Sequence, residues 1–139
     1  MAALLGALYS QYVMGLAPCA LCIWQRWPHL AAVLFGALGL VVRGPVVPLL
    51  GGGSALATAG VGVFHFGVEQ KWWEGLDSCT GGNGIAGLSV QDLLDPTKQV
   101  GAVVRCDEIA ASFAGLSMAG WNVVVSLVFA LIWLAAARR

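Results

Sequence analysis

A chain of 139 residues that is 59% hydrophobic and only 10% charged has less than half the ionic content of a soluble domain, where about a quarter of residues are charged. Its mean hydropathy of +0.83 is more than one small core can hide, so lipid is the expected solvent. Seven acids balance seven bases, and a net charge of zero argues against a nucleic-acid partner, which calls for a basic face.

The charges cluster. All the acids (Glu69, Glu74, Asp77, Asp92, Asp95, Asp107, Glu108) fall between positions 69 and 108, and outside that window the only charged side chains are Arg26, Arg43, Arg138 and Arg139. This is one polar loop set among apolar segments. With no hydrophilic second block, residues 1–139 are expected to form a single membrane domain.

In chain order, Met1–Leu16 is apolar but short, since a membrane helix takes about 20 residues at about 1.5 Å each. It lacks a basic leader and a cleavage site, so a signal peptide is not expected and the start reads as trimmed or misassigned. Cys19-Ala20-Leu21-Cys22 follows. A second apolar segment covers 23–42 and stops at Arg43-Gly44-Pro45; a third covers 46–68. The polar loop occupies 69–115, and a fourth apolar segment, 116–137, ends at Arg138-Arg139. Backbone groups in lipid must be satisfied within their own segment, and no segment alternates as a barrel strand would, so all four are expected to be helices. Small residues (Gly36, Gly39, Gly51 to Gly53, Ala57, Ala59, Gly60, Gly62) permit close helix contacts. The expected fold is an all-α integral membrane protein, a four-helix transmembrane bundle with a long loop between helices 3 and 4.

Four spans place both termini on one side and the CxxC and the long loop on the other, so the four cysteines share a compartment. The basic, acid-free turn at Arg43 and tail at Arg138-Arg139 read as cytoplasmic. Lasting disulfide chemistry needs an oxidising space such as the bacterial periplasm. The expected location is therefore a bacterial inner membrane with the redox loops facing the periplasm. Trp24, Trp27, Trp72, Trp73 and Trp121 fall at that outer boundary as an aromatic belt. Within the loop, Ser89-Val90-Gln91-Asp92 resembles a helix-start box ahead of Leu93 and Leu94. It fits either a short surface helix ended by Pro96 or an ordered turn.

Four thiols carry the candidate chemistry. A CxxC marks a thioredoxin-like pair or one knuckle of a zinc site. No βαβ pattern surrounds Cys19 and Cys22, and Cys79 and Cys106 lie 27 positions apart without repeating the spacing. Disulfide exchange fits better, because two neighbouring thiols can close a ring and pass it to an incoming thiolate. Cys79 and Cys106 either staple the loop, a contribution of about 3–4 kcal/mol in the chain-entropy model, or complete a four-thiol relay. Arg26 follows Cys22 by one turn on the same helix face, where a guanidinium and the helix N-terminus both stabilise a thiolate. Its alternatives are snorkelling to head groups or holding the polar head of a membrane cofactor. His65, one turn before Glu69, either bridges helices or exchanges protons with a bound quinone. Pro28, just before His29, frees the carbonyl of Trp24 and either kinks helix 2 or marks its restart.

The run Pro18-Cys19-Ala20-Leu21-Cys22-Ile23-Trp24-Gln25-Arg26-Trp27-Pro28-His29 resembles the signature of the DsbB family of disulfide-bond formation proteins. Phe64-His65-Phe66-Gly67-Val68-Glu69, with Trp72 or Trp73 and then Cys79, is similar to the same family. So is Cys106-Asp107-Glu108 leading through Gly115-Leu116-Ser117-Met118 to Trp121-Asn122. The resemblance covers essentially the whole chain, apart from the short first segment.

That resemblance implies a quinone-dependent protein-disulfide oxidoreductase. It would reoxidise a periplasmic thioredoxin-like oxidase, DsbA or a DsbA-like protein, and pass electrons to the membrane pool of ubiquinone or menaquinone. It implies redox-active disulfides Cys19–Cys22 and Cys79–Cys106. Cys79 would form the mixed disulfide with the partner, Cys106 would attack Cys19, and Cys22 would face the quinone with Arg26 and His65 beside it. Because DsbA sits at about −120 mV, the quinone has to pull the sequence. Other classes compatible with the residues are a vitamin K epoxide reductase-like enzyme, whose CxxC comes late in its bundle, a thiol-based metal-binding membrane protein, and a membrane subunit whose cysteines are all staples.

Overall fold

The structure, a computed structural model, describes residues 1–76 and 105–138. Cys79, the Ser89–Asp92 box and Pro96 lie outside the described residues. Among the described residues there are four helices: α1 (Ala2–Tyr12), α2 (Ala20–Gly39), α3 (Val46–Glu69) and α4 (Met118–Ala137).

The helix boundaries follow from local chemistry. α2 starts three residues before the apolar run because Cys19 caps it: the Cys19 Sγ accepts from the Cys22 amide at 3.3 Å, satisfying one of the orphan donors of a first turn. This puts Cys22 inside the helix. Pro28 neither breaks nor restarts α2, which runs through it. Close to the gap that the proline leaves, the Thr58 hydroxyl of α3 donates to the Gln25 carbonyl at 3.0 Å.

α3 ends in a left-handed residue, Lys71 (φ 59°). The Trp72 amide returns to the Gly67 carbonyl at 2.9 Å and the Lys71 amide to that of Val68 at 3.0 Å, the paired bonds of a Schellman ending. The turn folds Trp73 back over Gly67, where a Cβ would collide with the indole.

Two short strands add a small β-pair to the otherwise helical fold. β1 (Ser112–Phe113) pairs antiparallel with β2 (Leu116–Ser117). The turn between them has positive φ at both central residues, Ala114 (51°) and Gly115 (79°), which matches the twist of the paired strands. α4 consequently begins at Met118 rather than Leu116. Its cap is Ser117, whose hydroxyl accepts from the Gly120 amide at 3.2 Å.

α3 packs along both α2 and α4, while α1 touches only α2 among the other helices to any extent. Every 3.6 residues α3 turns the same face inward, so Gly51, Gly52, Ala55, Thr58, Ala59 and Gly62 are buried. Gly53 and Gly60, expected to share in the packing, have nothing near them because they point off that face. The tightest approach between helices is at Gly51, where an added Cβ would stand 2.6 Å from the Trp133 indole of α4. A rigid ring cannot give way as a flexible chain end can. We therefore expect Gly51→Ala to lower stability by about 1–3 kcal/mol, the usual cost of overpacking. Gly53→Ala, in open space, should be close to neutral. Thermal unfolding of both variants in detergent checks this.

α3 and α4 are long and apolar enough to cross a membrane, yet only 39% and 22% of their most apolar stretches are buried. The core helix of a soluble protein would be mostly covered. Here Leu127, Val128, Leu131 and Ile132 lie bare, as a lipid-facing surface does. α2 has 20 residues, but Gln25, Arg26, Pro28 and His29 interrupt its apolar character. α1, at 11 residues, extends only about 16 Å at 1.5 Å per residue, well short of the expected first span.

Candidate thiol redox site

The site forms where α2 starts, α3 ends and α4 starts, all at one end of the bundle because α3 runs antiparallel to its neighbours. Cys19 and Cys22 carry free thiols, with the Cys19 Sγ donating to the Cys22 Sγ at 2.9 Å. Cys19 is buried and Cys22 half-buried. The bond to Cys22, followed by burial, holds the Cys19 thiol well above its ordinary pKa. Cys19 thus keeps its proton, and Cys22 is the accepting end of the pair.

Cys106 is fully buried and disulfide-bonded. It packs in one cluster with Cys19, Leu21 and Val68, against which Cys22 and Phe64 also rest. The fold therefore brings Cys106, from beyond the long loop, into the same buried cluster as Cys19, while Cys79 lies outside the described residues. Next to Cys106, Arg105 grips Asp107 with two bonds, at 2.9 Å and 2.6 Å, and holds that carboxyl below the ordinary range.

His65 comes up from α3 between these groups. Its Nε2 lies 3.6 Å from the Cys19 Sγ and 3.8 Å from the Glu69 Oε1, and its Nδ1 lies 2.9 Å from the Gln25 amide nitrogen. Glu69 is itself buried and accepts a short hydrogen bond from the Ser117 hydroxyl. His65 thus bridges α3 to the start of α2, with a contact on each ring nitrogen.

Arg26 is drawn into a cleft between α1 and α2. Its Nη1 donates to the Gln11 Oε1 at 2.6 Å, and its Nε is buried without a hydrogen-bond partner. The cleft has a volume of about 470 Å³ and is lined by Gly6, Ala7 and Ser10 of α1, by Cys22, Gln25, Arg26, His29 and His65, and by Asn122 of α4. That size suits a small-molecule ring. At its inner end the His29 Nε2 lies 2.8 Å from the Asn122 Oδ1, and the Asn122 amide reaches the Thr58 carbonyl and hydroxyl at 3.4 Å each. This polar cross-link ties α2, α3 and α4 together.

Sequence reasoning missed four contributors. Gln11 and Ser117 left no sign, since their partners lie 15 and 48 residues away. Glu69 was legible as the i+4 neighbour of His65, and Gln25 as sharing a helix face with Cys22.

A dithiol capping a helix at the mouth of an apolar bundle, with a disulfide-bonded cysteine packed on it and a guanidinium in the cleft behind, defines a membrane thiol–disulfide protein. The chain matches the family "Disulfide bond formation protein DsbB" over residues 1–136. It belongs to that family. It is 34% identical over 143 residues to disulfide bond formation protein B of Saccharophagus degradans, covering 94% of this chain and 82% of the relative. The protein of that name from Paracidovorax citrulli is 30% identical over 133 residues (91% and 74% covered). Disulfide bond formation protein B 2 of Pseudomonas aeruginosa is 32% identical over 135 residues (93% and 78%). No solved structure matches the chain. The two candidate membrane helices together with the family point to the inner membrane.

Proposed function

We propose that this chain, as a single multi-pass domain whose loop 69–115 faces the periplasm, reoxidises a DsbA-like dithiol oxidase and passes the electrons to ubiquinone or menaquinone. One juxtaposition carries it: Cys19 shares a buried cluster with Cys106 and hydrogen-bonds to Cys22 at 2.9 Å, and Cys22 opens on the cleft that holds Arg26.

The exchange runs through the chain's own sulfurs. A partner thiolate attacks Cys79 of a Cys79–Cys106 disulfide, and Cys106 leaves as a thiolate. Cys106 then attacks Cys19 of the Cys19–Cys22 disulfide, which frees Cys22. The partner's second thiol resolves the mixed disulfide at Cys79 and releases oxidised partner. Cys79 then attacks Cys106, restoring the loop disulfide and leaving Cys19 and Cys22 reduced. Free Cys19 and Cys22 beside a disulfide-bonded Cys106 are what this structure holds.

The orphaned Arg26 Nε is a buried donor without an acceptor, and a quinone carbonyl oxygen fits that need. Bound there, quinone supplies an acceptor for two electrons and two protons. Arg26 would hold its oxygen and steady a Cys22 thiolate. Cys19 holds one proton at the pair, and His65 keeps a ring nitrogen against Cys19 for moving it.

Reduced DsbA-like protein mixed with the purified chain should be oxidised only when a ubiquinone or menaquinone analogue is added; oxidation at the same rate without quinone would overturn the proposal. Cys79→Ser should reduce partner oxidation to background, read by alkylation of the partner's free thiols. Retained turnover would leave Cys79 and Cys106 as a staple.

A further inference from the structure

We propose that the reduced site is also a redox-gated binding site for a borderline-soft divalent cation, zinc first among them, held by the Cys19 Sγ, the Cys22 Sγ and the His65 Nε2. These three atoms all lie within 4.8 Å of one another, with Cys19 2.9 Å from Cys22 and 3.6 Å from the Nε2. Zinc bonds of about 2.3 Å to sulfur and about 2.0 Å to imidazole place tetrahedral donors about 3.5–3.8 Å apart. The Cys19–His65 separation already meets that distance. The two sulfurs must part by less than about 1 Å and the Cys22 Sγ, within 4.8 Å of the Nε2, must come to about 3.5 Å from it, movements open to half-buried Cys22. The zinc knuckle that sequence spacing argued against lacked its second half along the chain; the missing ligand is a histidine 46 residues on, delivered by α3.

Charge and orientation favour the same occupant. Two thiolates and a divalent cation sum to zero, so the complex leaves no net charge in a poorly hydrated place. Binding exchanges two S–H bonds for two S–metal bonds and releases two protons, with no change of oxidation state. The Gln25 amide nitrogen lies 2.9 Å from the imidazole Nδ1; a metal on Nε2 leaves the proton on Nδ1, so the Gln25 amide would turn over to present its oxygen, the kind of outer acceptor that fixes a metal-binding ring. Cys22 and His65 both line the cleft, so the fourth position opens there, to water. The site exists only in the electron-loaded state, because a Cys19–Cys22 disulfide offers no thiolate. In turnover the cation would trap the reduced pair, an effect that rests on the function proposed above; binding itself does not.

The test uses the full chain in detergent, reduced with a phosphine and freed of it, titrated with cadmium and read by thiolate-to-cadmium charge-transfer absorption, with zinc as competitor. We expect one cadmium per reduced chain, displaced by zinc, and none on the oxidised chain. Cys19→Ser and Cys22→Ser should abolish binding, and Cys79→Ser should keep it. His65→Ala and His65→Asn should weaken it by about 10–100-fold, the scale on which even outer partners of metal-bound histidines act. Equal binding by the oxidised chain, unchanged affinity in both His65 variants, or binding lost in Cys79→Ser but kept in Cys19→Ser would overturn the site. Neither quinone nor partner is present, so failure here is distinct from failure of the proposed electron transfer.

Discussion

Cys22→Ser is expected to remove quinone reduction completely, and Cys19→Ser to do the same for a different reason. A serine hydroxyl cannot form the disulfide in which electrons leave the pair, so no residual route remains through position 22. Cys22 sits in the first turn of α2, where the helix dipole favours negative charge. It accepts the Cys19 hydrogen bond at 2.9 Å and borders the cleft. Cys19 lies on the other side, in the cluster with Cys106, and is the sulfur that the loop can reach. The two variants should therefore fail at different points. With Cys22 replaced, the Cys19 thiolate can still attack Cys106 of the loop disulfide and release Cys79 as a thiolate, so a Cys19–Cys106 disulfide should be visible on a non-reducing gel after alkylation. With Cys19 replaced, it should not form. Quinol formation followed by absorbance gives the rate, and a normal rate in either variant would sink the assignment. Both substitutions nearly conserve volume, so thermal unfolding should stay close to that of the parent protein.

Arg26→Met should raise the quinone concentration needed for half-maximal turnover by about 10–100-fold. A hydrogen bond to a charged group contributes about 1.5–3 kcal/mol, and about 1.4 kcal/mol corresponds to a factor of ten. Methionine keeps the apolar stem that packs in the cleft and removes both the Nε, which has no protein partner, and the Nη1 that holds Gln11. Arg26→Lys should recover only part of the loss. A single ammonium on a flexible stem cannot meet Gln11 and a second acceptor in the fixed fork of a guanidinium. Unchanged quinone dependence in Arg26→Met would mean that the side chain serves only to tie α1 to α2 through Gln11.

Much of the framework was legible because lipid imposes a simple rule on the chain. An apolar run of sufficient length must be helical, so the limits of α3 and the far ends of α2 and α4 came within a few residues of expectation. The near ends of α2 and α4 moved by three and two residues, and each shift has a local cause. Cys19 caps α2 through its own sulfur, a role usually filled by oxygen side chains. Leu116 and Ser117 pair with Phe113 and Ser112 before α4 begins, because Ala114-Gly115 adopts a tight turn that hydropathy cannot signal. Small residues were visible as a group, but only the inward phase of α3 separates Gly51 under Trp133 from Gly53 in open space.

The sequence by itself determined the apolar character of the chain, the thiol pair at the mouth of α2 and the one-turn spacing of Cys22 and Arg26. All of these depend on composition or on neighbours a few residues apart. Tertiary structure decided which groups meet across long separations: Cys106 with Cys19, His65 with Gln25 and Glu69, Ser117 with Glu69, Gln11 with Arg26. Those contacts depend on the rotation and axial offset of packed helices, and these are set by how side chains such as Trp133 and Thr58 fill the space between α2, α3 and α4. The CxxC is a local feature of one helix start; the neighbours that give its two sulfurs different surroundings are supplied by packing.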